Sequence, residues 1–135
     1  MVIETSPTAE VFLLGRILLG GVFAYLGISN ILDSENKIEY ARSTGVPVAG
    51  IAVPVSFVLL ILGGLGILFG VYPMIASVGV IVFFAGVTPA MHAFWHIDDP
   101  DERSQEKTQF LVNLALLGSA VVVLALGTAT WPYTL

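Results

Sequence analysis

Cysteine is absent from the 135 residues. That excludes a disulfide framework, thiolate-held zinc, an iron–sulfur cluster ligated by this chain and a thiol nucleophile. Charge is scarce as well. Asp, Glu, Lys and Arg make up 11% of the chain, against about 25% in an ordinary soluble domain. The few charges sum to −5, so the basic patch that nucleic acid requires is missing. Also missing are a glycine-rich phosphate loop, a His-Glu-x-x-His pair and a Ser-His-Asp arrangement. The two histidines lack an obvious third ligand, and no metal site is expected. No internal repeat stands out.

What the chain has in abundance is apolar side chain, 56% of residues. A soluble body of this size leaves much of its surface in water and cannot hide that proportion. Disorder is excluded by the same figure. Residues 43–97 carry no Asp, Glu, Lys or Arg, nor do residues 108–135, and Arg16 is the one charge between 11 and 32. About 20 mostly apolar residues cross a hydrocarbon core of ~30 Å. The pattern therefore predicts an all-α integral membrane protein, a single domain of four spans near 9–32, 54–70, 73–96 and 108–128. Glu4 and Glu10 precede the first basic residue, Arg16, which is unlike a cleaved signal peptide; the first segment is read as a span of the mature protein.

Local signals place the boundaries. Ser6-Pro7 reads as an N-cap followed by proline in the first helical turn. Asp33-Ser34 ends the first span. Residues 35–43 read as a short interfacial helix whose Ile38–Ala41 edge lies on the bilayer, stopped by Gly45 and Pro47. Pro54 marks the start of the second span, which is then slightly short. Gly70-Val71-Tyr72-Pro73 forces a tight helical hairpin. Pro89 should kink the third span. Residues 97–107 read as a polar loop, and Trp131 and Tyr133 as interfacial aromatics. Gly66 and Gly70 have the small-xxx-small spacing that lets helices approach closely. Lys37, Arg42, Arg103 and Lys107 all fall in loops 33–48 and 97–107. The positive-inside tendency puts those loops in the cytoplasm of a multi-pass protein of the cell membrane, with both termini outside.

Polar residues inside a bilayer are costly and informative. Arg16 lies in the first span; it either snorkels to the headgroups or bonds backbone carbonyls. Thr88, His92 and His96 recur at i, i+4 on one stripe of the third span, with Trp95 beside them. Asn30, His92, His96 and Asn113 are expected at similar depth, where they form one polar site between the helices near Asp98 and Asp99. The plainer alternatives are an interfacial His96, an Asn113 that glues two helices, and solvated loop carboxylates.

The run Met91-His92-Ala93-Phe94-Trp95-His96-Ile97-Asp98-Asp99-Pro100, then Arg103, then Phe110-Leu111-Val112-Asn113-Leu114-Ala115-Leu116-Leu117-Gly118, resembles the DoxX family of small four-span membrane proteins. Arg16 through Phe23, Gly45-Val46-Pro47 and Gly63 through Gly70 are similar to other parts of its pattern. The resemblance implies a four-helix bundle, and functional positions at Arg16, His92, Phe94, Trp95, Asp99, Arg103 and Asn113, with Arg16, Asp99 and Arg103 structural or ion-paired. The family takes its name from subunits of quinol oxidase and thiosulfate:quinone oxidoreductase systems. The resemblance therefore implies an accessory subunit, with quinone as candidate ligand, no covalently bound cofactor, and the bilayer, other redox subunits or a second copy as partners. Catalysis by this chain alone is not implied. The sequence departs from the pattern at Asn30 and Val112, where many members have lysine, and in lacking a second-span glutamate. A carrier or binding module for lipid or another hydrophobic ligand, and a purely structural membrane partner, are the competing expectations.

Overall fold

The computed structural model describes residues 7–135. The chain is all helical: α1 (Thr8–Leu32), α2 (Ser34–Ser43), α3 (Ala49–Phe69), α4 (Pro73–Met91), a 3₁₀ turn (Phe94–His96) and α5 (Pro100–Leu126). Ser6 lies outside the described residues, and Pro7 stands at the N-cap position of α1, one residue before the first helical turn. Four helices are long and apolar enough to cross a bilayer, with peak mean hydropathies of 2.0 to 2.6. Only 17–39% of each apolar window is buried within the protein. Most of the aliphatic side chains on these helices therefore face outward, which is stable where lipid is the solvent. The chain is a multi-pass membrane protein.

The helices pack in chain order: α1 on α3, α3 on α4 and α4 on α5, with α2 laid against α3, while α1 and α5 do not pack on each other. Phe23 of α1 reaches Phe84 of α4, with ring centroids 5.5 Å apart, and Phe57 of α3 meets Phe83 at 5.7 Å. These rings, with Leu60 and Val80, form the buried centre. One end of the bundle gathers α2, the 3₁₀ turn and the start of α5, and is called the loop end. The other holds the α3–α4 turn and residues 127–135, and is called the tail end.

Small residues set the helix spacing, on two faces of α3 rather than one. A β-carbon on Gly64 would lie 2.6 Å from both the Gly20 carbonyl and the Ala24 nitrogen of α1. One on Gly63 would lie 2.8 Å from the Ala76 carbonyl of α4. Gly66 also faces Ala76, whereas Gly70 takes φ +69° as the left-handed cap of α3. The Gly66–Gly70 pair thus serves a helix contact and a turn, not one seam.

Four expectations are corrected. The second span begins at Ala49, with Pro54 inside the helix. A proline six residues in costs a single intrahelical bond, to the Gly50 carbonyl, while the first turn is already closed by Ile51 and Ala52 donating to Val48 O, both at 2.9 Å. The span is therefore 21 residues, about 31 Å, and not short. The apolar third span covers Pro73–His96 as expected, but not as one kinked helix: α4 ends at Met91 and the chain reaches His96 through the 3₁₀ turn. Pro89 leaves the Ala85 carbonyl without its bond, the last helical bond is His92 N to Thr88 O at 3.1 Å, and Phe94 N then turns back to His92 O. Residues 100–107 are helix, not loop. Asp99 accepts from the Glu102 N–H at 3.0 Å, Pro100 opens the first turn, and Asp101 and Glu102 complement the helix dipole. Finally, the Ile38–Ala41 edge of α2 faces the bundle: Ala41 is fully buried and Ile38 packs on the core.

Replacing Gly64 with valine is expected to destabilise the detergent-purified protein by about 1–3 kcal/mol through overpacking. Gly21, which has open space around it, should accept alanine with no loss and a gain of up to about 1 kcal/mol. Thermal unfolding of the two variants checks the pair.

Candidate functional site

The polar groups separate into two centres at opposite ends of the bundle. At the tail end, Arg16 is 2% exposed. Its Nε donates to Ile67 O at 3.1 Å, and Nη2 donates to Leu68 O and Tyr133 O, both at 3.0 Å. Nη1 donates to Pro132 O. Ile67 and Leu68 belong to the last turn of α3, whose carbonyls have no intrahelical donor and carry the negative end of the helix dipole. The guanidinium lies between the rings of Phe12 and Trp131, at 5.7 and 5.3 Å. Of the two readings of Arg16, bonding to backbone carbonyls is the one realised. Trp131 is buried against it rather than standing in an interfacial belt, and its Nε1 donates to Leu126 O at 2.9 Å. Leu135 N adds a bond to Phe69 O at 3.0 Å. Among the described residues Arg16 has no carboxylate partner. Its donors are committed to the fold, and the centre is a clasp.

At the loop end, His92 caps α4, and its Nδ1 is 2.7 Å from Oε2 of Glu106 on α5. Both side chains are about a quarter exposed. Beside them stand three rings packed edge to face: Phe94 to Trp95 at 5.3 Å, Phe94 to Phe110 at 5.4 Å and Trp95 to Phe110 at 5.6 Å. Arg103 and Lys107 each hold a cationic group 6.0 Å from the Phe94 ring. Tyr40 of α2 donates its hydroxyl to Met91 O at 3.0 Å and fastens α2 over the end of α4. Burial, and after it the nearby Glu106 and Glu102 carboxylates, raise the Tyr40 hydroxyl above its ordinary value, so it remains a donor at neutral pH.

The residues expected to share one polar site are distributed as follows. His92 and Trp95 come together with Glu106 and the aromatic cluster. His96 is exposed on the 3₁₀ turn with its ring 5.8 Å from that of Trp95, so Thr88, His92 and His96 do not form a continuous helical stripe. Asn30 donates to Leu26 O of its own helix at 2.7 Å. Asn113 is buried about two turns beyond Glu106 on α5 and accepts from Gln109 at 3.0 Å. Asp99 is the N-cap of α5, and Arg103 makes no ion pair among the described residues. Glu106, Phe110 and Tyr40 were missed. Glu106, Phe110 and Asn113 follow i, i+4, i+7 spacing on α5. That signal was legible once the helix started at Pro100 rather than 108.

Two apolar hollows accompany these centres. A groove of about 450 Å³ opens outward between α3 and α4, lined by Leu62, Gly66, Phe69, Tyr72 and Ile75 among others. A smaller hollow of about 200 Å³ sits between α2, α3 and α4 beside Met91.

Substituting Arg16 with methionine should strip the Ile67 and Leu68 carbonyls of their donors and cost on the order of 3 kcal/mol. The tail is then released, and carboxypeptidase digestion of the variant should run faster than that of wild type while Arg16→Lys falls between. Equal digestion of all three would contradict the clasp.

The DoxX family model matches residues 11–93, from the first turn of α1 to the residue after His92. No curated protein and no solved structure matches the chain.

Proposed function

Because the chain belongs to the DoxX family, we propose that it is an accessory subunit of a redox-linked membrane system and binds a quinone headgroup at the loop end. The observation that carries this reading is the His92–Glu106 pair standing beside the Phe94–Trp95–Phe110 cluster. An amphipathic ring needs polar contacts at its oxygens and flat apolar contact at its face, and these residues offer both. Glu106 as carboxylate holds the proton on Nδ1, which leaves Nε2 to accept from a ring hydroxyl, or as imidazolium to donate to a ring carbonyl. Phe94 and Trp95 orient the ring, and Arg103 and Lys107 hold the neighbouring turn of α5 against Phe94. A bound quinone would supply the electron-carrying ring; this chain binds it, orients it and holds a proton at His92. On this reading the loop end faces the cytoplasm, because Lys37, Arg42, Arg103 and Lys107, every lysine and arginine except Arg16, belong to α2 and the first turns of α5.

A second reading rests on the 450 Å³ groove between α3 and α4. Its apolar lining suits an acyl chain, as in a lipid-binding or carrier module, without redox chemistry.

Wild type, His92→Ala and Glu106→Gln, purified in mild detergent, should differ in extracted quinone measured by mass spectrometry. At least a tenfold loss is expected in His92→Ala, equivalent to about 1.4 kcal/mol. Equal quinone in wild type and His92→Ala would sink the site, and lipid alone in every extract favours the second reading. Orientation is checked with single cysteines introduced at Ser34 and Thr128 into a chain that has none of its own. An impermeant maleimide added to whole cells should label the Thr128 reporter and not the Ser34 one.

A further inference from the structure

The first two turns of α5 sort their charges onto separate stripes. Glu102 and Glu106 are one turn apart; Glu106 bonds His92 of α4, and both carboxylates lie near the Tyr40 hydroxyl of α2. Arg103 and Lys107 form the neighbouring stripe, also one turn apart. Each places its cationic group 6.0 Å from the centre of the same Phe94 ring. Both side chains are exposed, and among the described residues neither makes an ion pair.

Helical geometry gives the reason. On a helix a side chain meets those three and four positions away. For Lys107 these are Arg103, Ser104, Phe110 and Leu111, none of them acidic. For Arg103 the acids in reach are Asp99 and Glu106. Both are engaged, Asp99 by the Glu102 N–H at 3.0 Å and Glu106 by His92 at 2.7 Å. Two like charges are thus brought to one ring without an acid, and an exposed ring attracts a cation only weakly. The other basic residues of the loop end differ. Lys37 and Arg42 of α2 are five positions apart, about 140° around the helix, and do not converge. Arg42 also stands 4.0 Å from Glu39.

Depth identifies the class of anion. No Asp, Glu, Lys or Arg follows Lys107, which therefore marks the edge of the apolar segment of α5. Arg103 is one turn further out, about 6 Å along the axis. The headgroup layer on each side of a hydrocarbon core is about 5–7 Å thick, so the pair spans it. Trp95, 46% exposed and with its ring 5.3 Å from that of Phe94, stands beside the pair, as tryptophan does at a membrane–water boundary. A soluble anion would engage the cations and leave this ring bare; a lipid engages both.

We propose that Arg103 and Lys107 form a binding site for the phosphodiester of an anionic membrane lipid, with Trp95 against the upper part of its acyl chains. The two non-ester oxygens accept from the guanidinium and the ammonium. A head without an ammonium of its own supplies the negative charge that the pair lacks. The site requires neither a quinone nor the His92–Glu106 pair.

The test follows tryptophan fluorescence of the delipidated full chain in nonionic detergent, titrated with phosphatidylglycerol or phosphatidylcholine brominated near the top of the acyl chains. Bromine quenches a ring it touches; Trp95 is exposed, whereas Trp131 is buried at the tail end. Half-quenching of wild type is expected at a phosphatidylglycerol concentration about tenfold below that of phosphatidylcholine. Arg103→Gln and Lys107→Gln should each raise the phosphatidylglycerol value about fivefold, the effect of one basic residue at an anionic lipid. Both positions are exposed and glutamine keeps the helix propensity, so without lipid both variants should unfold with wild type. The Lys37→Gln, Arg42→Gln double variant, which removes two charges elsewhere, and His92→Ala should keep the wild-type value. Equal half-quenching of wild type by the two lipids, or an equal loss in the α2 double variant, would overturn the proposal. So would displacement of the lipid by glycerol phosphate at matched concentration, which would identify a soluble phosphate as the occupant.

Discussion

A single guanidinium, set where lipid would otherwise meet bare carbonyls, governs how this molecule closes. The C-terminal turn of α3 ends inside the protein, and its last carbonyls have no helical donors. Arg16 supplies them and binds the two carbonyls of Pro132 and Tyr133 in the same fork. A charge without a counter-ion is costly in a low-dielectric interior. Among the described residues, oriented dipoles and two aromatic faces surround the guanidinium where an acid would otherwise stand. One side chain thereby ties α1, α3 and the tail together, and the close α1–α3 crossing at Gly20 and Gly64 continues from it.

The two ends consequently differ in kind. At the tail end the polar groups are spent on one another. At the loop end several are held but not exhausted: the second nitrogen of His92, the Thr88 hydroxyl and the Arg103 and Lys107 cations. Preorganised groups with unused hydrogen-bonding capacity are what a binding region requires, and groups that are all mutually satisfied are what a structural joint requires. The aromatic cluster belongs to the first kind, since Trp95 remains half exposed beside it.

The sequence made the four spans legible because charge is excluded from them, a signal that needs no knowledge of packing. It was less legible at the boundaries, for two physical reasons. Charged residues after Asp99 read as loop, yet the first two turns of a helix emerging from a membrane are wet and tolerate charge; Asp99-Pro100 was the better guide. Proline at 54 read as a start, although a helix loses only one bond there. The site inherited these errors. Setting His92 and His96 on one stripe assumed a helix that Pro89 stops, and starting α5 late hid Glu106 from its partner. Nothing local indicated that Arg16 would find its acceptors near residues 67 and 132, because that contact depends on how the chain closes.

The poor burial of α5 has a mechanical meaning. Only 17% of its apolar window is covered, and α4 is its one long-helix neighbour. A load pulling on the C-terminus meets the Leu135–Phe69 bond and then the Arg16 fork, where Pro132 and Tyr133 are gripped. Once the fork ruptures, α5 peels from α4 along a single seam while α1, α3 and α4 keep their shared aromatic centre. The molecule is thus a three-helix slab with a strap, and within the bilayer the separation of α5 from the slab is opposed by one seam and by the buckle at its end.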